Sequence, residues 1–181
     1  MLPRQTLKEL FEELVGRSFR ETLRISDSEI TAYVSELLTQ FCRVENLYCI
    51  RDAQGKRLED VGEMLLASNP LFDAPSFDRE REVRKHIGDF TLFFAGLFPE
   101  AVNRWRLRRQ RLDDMVDYVR AGKESYYIVS KFNQFEYRRS ARLFKKMSEQ
   151  FETCVFGLHL VKRDLQGMQR KAYVQMQEAL F

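Results

Sequence analysis

His86 stands four residues after Glu82 and three before Asp89. On a helix those offsets bring both carboxylates to the face of the imidazole. A carboxylate on one ring nitrogen fixes the tautomer and raises basicity, as a general base requires, and the same trio is of metal-ligand type. Two features count against chemistry here. Di-iron bundles repeat a Glu-x-x-His motif on two helices, whereas this glutamate-to-histidine offset is four and nothing matching recurs near His159. No nucleophile stands in a fixed relation to His86. A hydrogen-bonded structural histidine is the favoured reading, and no metal or cofactor is expected.

A second group is Arg104, Arg106, Arg108, Arg109 and Arg111 around Trp105. Guanidiniums on a helix can track phosphates, and an indole can stack on a base. Helical geometry spreads this set, however. Arg104, Arg108 and Arg111 share one face, Arg106 points elsewhere, and Asp113, Asp114 and Asp117 follow at once. Arg109 falls on the apolar line between Trp105 and Leu112, where a buried guanidinium needs a carboxylate or an anionic ligand. A solvated, salt-bridged face is favoured over an anion site made by Arg104, Arg108, Arg109 and Arg111.

Tyr126, Ser130, Asn133 and Tyr137 form the third group, at steps of four, three and four, with Ser140 beyond. Uncharged hydrogen-bonding groups in such a stripe can orient a ligand in an apolar pocket. They can equally satisfy one another between helices, and that network is the favoured reading.

Helices must position all three groups. Thr6 with Glu9 and Ser26 with Glu29 resemble capping boxes, and Ile30, Val34, Leu37, Leu38 and Phe41 recur at the spacing of one buried helical face. Leu47 to Ile50 followed by Asp52 to Lys56 predicts a small hairpin near residues 47–58. The loop near 68–78, with Pro70 and Pro75, separates this N-terminal part from the main helices. From Asp78, the positions Val83, Ile87, Phe90, Phe94 and Leu97 predict a long central helix. Gly88, Thr91 and Ala95 make a line of small residues that lets another helix approach closely. Pro99 opens a helix expected to stop at Gly122, and a further helix is expected from Glu124 to about Gln150, with Phe132 and Phe135 on its buried face. The last stretch ends in Leu165, Met168, Ala172, Met176 and Ala179, a seam for the bundle or a second copy of the chain. The fold class expected is all-α: an antiparallel bundle of about six to eight helices, forming one domain over residues 1–181.

Composition sets outer limits. Hydrophobic residues make up 44% of the 181, enough for a core without staples. Net charge is only +3, too small by itself to imply nucleic acid, which is not the expected partner. Its distribution is uneven, with 13 basic against 18 acidic side chains in residues 1–100 and 17 against 9 in residues 101–181. Cys42, Cys49 and Cys154 form no C-x-x-C pair, and free thiols suit a reducing compartment. The first ten residues lack the apolar core of a signal peptide. The apolar run Phe90 to Phe98 is about half the length of a membrane span. A cytoplasmic location is therefore expected, with no membrane segment.

These readings favour a non-enzymatic helical interaction or small-ligand-binding domain. Anion or nucleic-acid binding through Arg104–Arg111 is the first alternative. An enzyme using His86 and Asp89 in an interhelical pocket is the second. The sequence identifies no partner beyond a second copy through the C-terminal helix.

Overall fold

The computed structural model of the chain describes residues 5–71, 76–107 and 117–168, together with Val174, Gln177 and Glu178. Among the described residues the fold is all-α, with nine helices and no strand. They are α1 (Leu7–Gly16), α2 (Ser28–Phe41), α3 (Val44–Leu47), α4 (Val61–Ala67), α5 (Phe77–Leu97), α6 (Pro99–Leu107), α7 (Tyr118–Lys131), α8 (Arg138–Glu149) and α9 (Phe151–Gly167). A π-helical turn, Arg17–Thr22, prolongs α1, and a 3-10 turn, Phe135–Tyr137, leads into α8. No described helix is long and apolar enough to cross a membrane.

Local chemistry fixes the helix starts. The Thr6 hydroxyl accepts from the Glu9 amide at 3.2 Å while the Glu9 carboxylate accepts from the Thr6 amide at 2.8 Å, a reciprocal cap. Asp27, not Ser26, caps α2, because its carboxylate reaches the amides of Glu29 and Ile30. Ser76 caps α5 and Asp117 caps α7 in the same way.

Helix α5 is the centre of the fold. Val83, Ile87, Phe90, Phe94 and Leu97 are all buried, as their spacing predicts. It packs against α7 and α9 most extensively, and also against α2, α4 and α6. The small-residue line works as a close-approach surface. A β-carbon on Gly88 would strike the Tyr126 ring, and one on Gly122 would strike Thr91 and Phe151. Gly122 therefore lies inside α7, where α5 and α7 touch, and does not end a helix.

These contacts also fix direction. Residue 88 meets 126 while 91 meets 122, so α7 runs antiparallel to α5. Ser148 bonds the Lys123 carbonyl at 2.8 Å and Tyr126 packs on Phe144, so α8 runs antiparallel to α7. After a break at Gln150, α9 continues in the direction of α8, passing Gly96 with Leu158.

Three expectations differ in detail. The hairpin near 47–58 reduces to one antiparallel bridge, Arg51 to Arg57, around a turn closed by Asp52 and Lys56. Leu47 belongs to α3 and is buried in the core, so no strand is extended from it. The helix expected from Glu124 to Gln150 is two helices: α7 starts earlier, at Tyr118, and ends at Lys131. Phe135, expected on a buried face, is 90% exposed in the resulting turn with φ +49°. Of the C-terminal seam, Leu165 is buried in the core and Met168 is 38% exposed, while Ala172, Met176 and Ala179 lie outside the described residues.

Candidate functional site

The first candidate group sits at a buried polar centre on α5. Asp89 Oδ1 accepts from the Tyr33 hydroxyl at 2.5 Å and from the Tyr126 hydroxyl at 2.7 Å. Its Oδ2 takes the Lys85 ammonium at 2.7 Å. The carboxylate thus joins α2, α5 and α7 at one point. Burial first, and the Asp89 charge second, push both phenols well above the usual tyrosine range. Both oxygens of Asp89 are occupied, and the surrounding space holds aromatic rings. Tyr126 packs at 5.5 Å on Phe144 and 5.8 Å on Phe151, with Tyr33 edge-on at 6.4 Å.

His86 lies beside this centre and is 7% exposed. Its Nε2 sits 2.9 Å from the Leu47 carbonyl, to which it must donate, leaving Nδ1 to face the Cys49 thiol at 3.5 Å. Phe41 and Phe90 flank the ring. Burial holds the imidazole below its ordinary pKa, against the opposing pull of Asp89. Neither predicted carboxylate bonds it: Asp89 is occupied as above, and Glu82 pairs with Arg79 at 2.8 Å. Among the described residues, no group of three His, Cys, Asp or Glu side chains converges to hold a metal ion. This arrangement pins α3 to α5, with the imidazole buried and the Cys49 thiol beside it exposed.

The uncharged stripe is divided by the break after Lys131. Tyr126 points to Asp89. Tyr137 donates to Asp78 at 2.9 Å beneath the Arg81 guanidinium, which stands 4.0 Å from its ring centre and donates to Ser140 at 3.0 Å. These three side chains therefore tie the start of α8 to α5. Ser130 and Asn133 turn the other way, into a surface groove.

That groove contains the grouping that the sequence reading missed. Helix α8 buries Ala141, Phe144, Met147 and Ser148 and exposes Arg138, Arg139, Arg142 and Lys145 on its opposite face. Arg138, Arg142 and Lys145 follow the spacing of one helical stripe. A groove of about 450 Å³ is lined by Lys131, Arg138, Arg142 and Lys145, with Ser130, Asn133, Gln134 and Ala141 between them. Not one carboxylate lines it. A second groove, of about 490 Å³, shares Arg138 and Arg142 and adds Arg139, Phe135, Glu29 and Glu136.

Electrostatics separate this face from its neighbours. Lys146, one residue beyond Lys145, is held by Asp27 at 2.6 Å and Glu29 at 3.1 Å. Arg138, Arg139, Arg142 and Lys145 have no acidic partner among the described residues. Like charges four apart repel along a helix, and Arg138 and Arg139 stand in its first turn, where the dipole favours anions. The local arrangement works against helix stability, as functional surfaces commonly do. On α7, Tyr127 is 50% exposed, and the Lys131 ammonium lies 4.3 Å from its ring centre. Lys131, and then Lys145, hold that phenol below the usual tyrosine range.

No protein-family model matches the chain, and no curated protein or solved structure does either.

Of the predicted anion site, Arg104 is exposed on α6, while Arg108, Arg109 and Arg111 lie outside the described residues. A signal for the α8 face does exist in the sequence, since no acidic residue stands between Glu136 and Glu149. Reading it required knowing that a turn ends α7 and that Lys146 alone of this basic run is neutralised from α2.

Proposed function

We propose that the chain is a non-enzymatic binding domain that holds an anionic partner on the α7–α8 face. The observation that supports this reading is the carboxylate-free groove walled by Lys131, Arg138, Arg142 and Lys145. Cations that have no acidic partner among the described residues and converge on a concavity raise the local concentration of anions, and each pairs with a phosphate, sulfate or carboxylate at little desolvation cost. Ser130, Asn133 and Gln134 supply neutral donors and acceptors between the charges. The anion surface proposed is thus on α7 and α8, apart from the Arg104–Arg111 run.

Retention on a heparin column tests it. The wild-type chain should bind at low salt and elute as salt rises. The double variant Arg138→Glu and Arg142→Glu should pass through with unchanged circular dichroism, because both side chains are exposed. Passage of the wild type at low salt, or equal retention of the variant, would refute the reading.

The compartment proposed with it is the cytoplasm. Cys42, Cys49 and Cys154 are free thiols, and free thiols persist in reducing surroundings. Recovery of the native chain in an exported fraction would contradict that assignment.

A further inference from the structure

We infer that the anion held on the α7–α8 face is single-stranded nucleic acid, its phosphates on Arg138, Arg142 and Lys145 and its bases stacked on Phe135 and Tyr127. The inference rests on the preceding reading and narrows it to one ligand. Single strands are bound without strong sequence preference by a basic groove that follows the backbone and by exposed aromatic rings that accept the bases. Both parts are present here.

Phe135 is 90% exposed and lines one groove together with three arginines, Arg138, Arg139 and Arg142, and two carboxylates, Glu29 and Glu136. Its backbone holds φ +49°, a left-handed conformation that is uncommon for a bulky side chain. A large apolar ring presented almost wholly to solvent at the mouth of a basic groove offers a π-face to a planar ligand. Tyr127 is half exposed, one turn from Lys131, which lines the adjoining groove. The two grooves share Arg138 and Arg142, so one strand can pass from one to the other along this pair. Asn133 and Gln134 place amides where unpaired base edges would lie.

Other polyanions fit less well. Insertion into a bilayer needs an apolar tip wider than one ring, but Phe135 is flanked by the polar Gln134 and Glu136. A duplex hides its base faces and would leave Phe135 and Tyr127 without work. Heparin engages the cations and ignores the rings. That difference lets the two claims be tested apart.

Fluorescence anisotropy of a labelled twelve-nucleotide adenine homopolymer, titrated with the full chain, tests the proposal. The affinity should fall with salt with a log–log slope of about −2, from roughly three phosphate contacts at ~0.7 each. Phe135→Ala and Tyr127→Ala should each weaken oligonucleotide binding roughly tenfold while leaving heparin retention unchanged. Phe135→Trp should bind at least as well as wild type, with its added indole emission quenched on stacking. Heparin retention with no oligonucleotide binding, or with binding insensitive to both alanine variants, overturns this inference and leaves the anion-binding reading standing. Equal affinity for a twelve-base-pair duplex overturns it as well, as does Phe135-dependent sedimentation with phosphatidylserine vesicles in place of oligonucleotide binding. A wild type that binds neither heparin nor oligonucleotide overturns both.

Discussion

The ring of Tyr126 occupies the place where residue 88 would carry a side chain: its Cε1, Cδ1 and Cζ lie inside contact distance of a β-carbon on Gly88. The same tyrosine donates to Asp89, the next residue along, at 2.7 Å. One position on α5 thus has to be empty so that its neighbour can be reached, and both conditions are met from a single turn of α7.

Gly88→Ala should therefore destabilise the fold. A methyl group placed against a rigid, fully buried ring costs about 1–3 kcal/mol in a well-packed core, against ~1 kcal/mol gained from better helix propensity. A net loss of about 1 kcal/mol lowers the melting temperature of a chain this size by roughly 2–4 °C. Calorimetry would check the sign. A variant as stable as wild type would show that α5 and α7 are not as close as their contacts indicate.

Asp89 is worth more to the fold than its lysine partner. Asp89→Ala strands two buried phenol hydroxyls and an ammonium, with an expected loss of about 3–5 kcal/mol. Lys85→Met removes only the half-exposed partner; Asp89 Oδ1 keeps both phenols. Denaturant unfolding should rank Asp89→Ala far below Lys85→Met. The reverse order would mean that the ion pair, not the tyrosine junction, holds the helices together.

Stability should fall at both ends of the pH scale. Tyr33 and Tyr126 have folded pKa values raised above 10 by burial and then by the Asp89 charge. The unfolded phenols ionise first, so their stabilisation is complete below pH 10 and declines as pH rises above it. His86 is shifted the opposite way, below 6.5, mainly by burial. Its contribution is complete above pH 6.5 and declines as pH falls below that value, where the unfolded imidazole gains a proton that the folded one resists. Ultraviolet titration should show two phenols ionising only with unfolding. His86→Gln should flatten the acid limb just below pH 6.5. An unchanged limb would assign that loss to carboxylates instead.

The central architecture was legible because it follows local periodicity. Phe90, Phe94 and Leu97 are buried where their spacing places them, and the Gly88–Thr91 line meets α7 as small residues should. The break after Lys131 was not legible. No glycine or proline marks it, and Ile128, Phe132 and Phe135 continue a helical apolar pattern straight through. What holds the turn comes from far along the chain: Asp78 receives the Tyr137 hydroxyl and Arg81 covers its ring, both from α5. Phe135 is thereby turned outward. The basic face was obscured for a related reason, because whether a cation is neutralised depends on distant carboxylates. Asp27 and Glu29 reach Lys146 and leave Lys145 without an acidic partner among the described residues.

Lysine footprinting gives the most direct test of where anions bind. Brief acetylation of the native chain, with and without a saturating phosphate polyanion, would be read residue by residue by mass spectrometry. Lys131 and Lys145 should lose most of their reactivity on binding, while Lys8 and Lys56, paired with Glu12 and Glu63 outside the two grooves, should keep theirs. Protection that appears elsewhere and spares Lys131 and Lys145, or no protection at all, would contradict the assignment of this face.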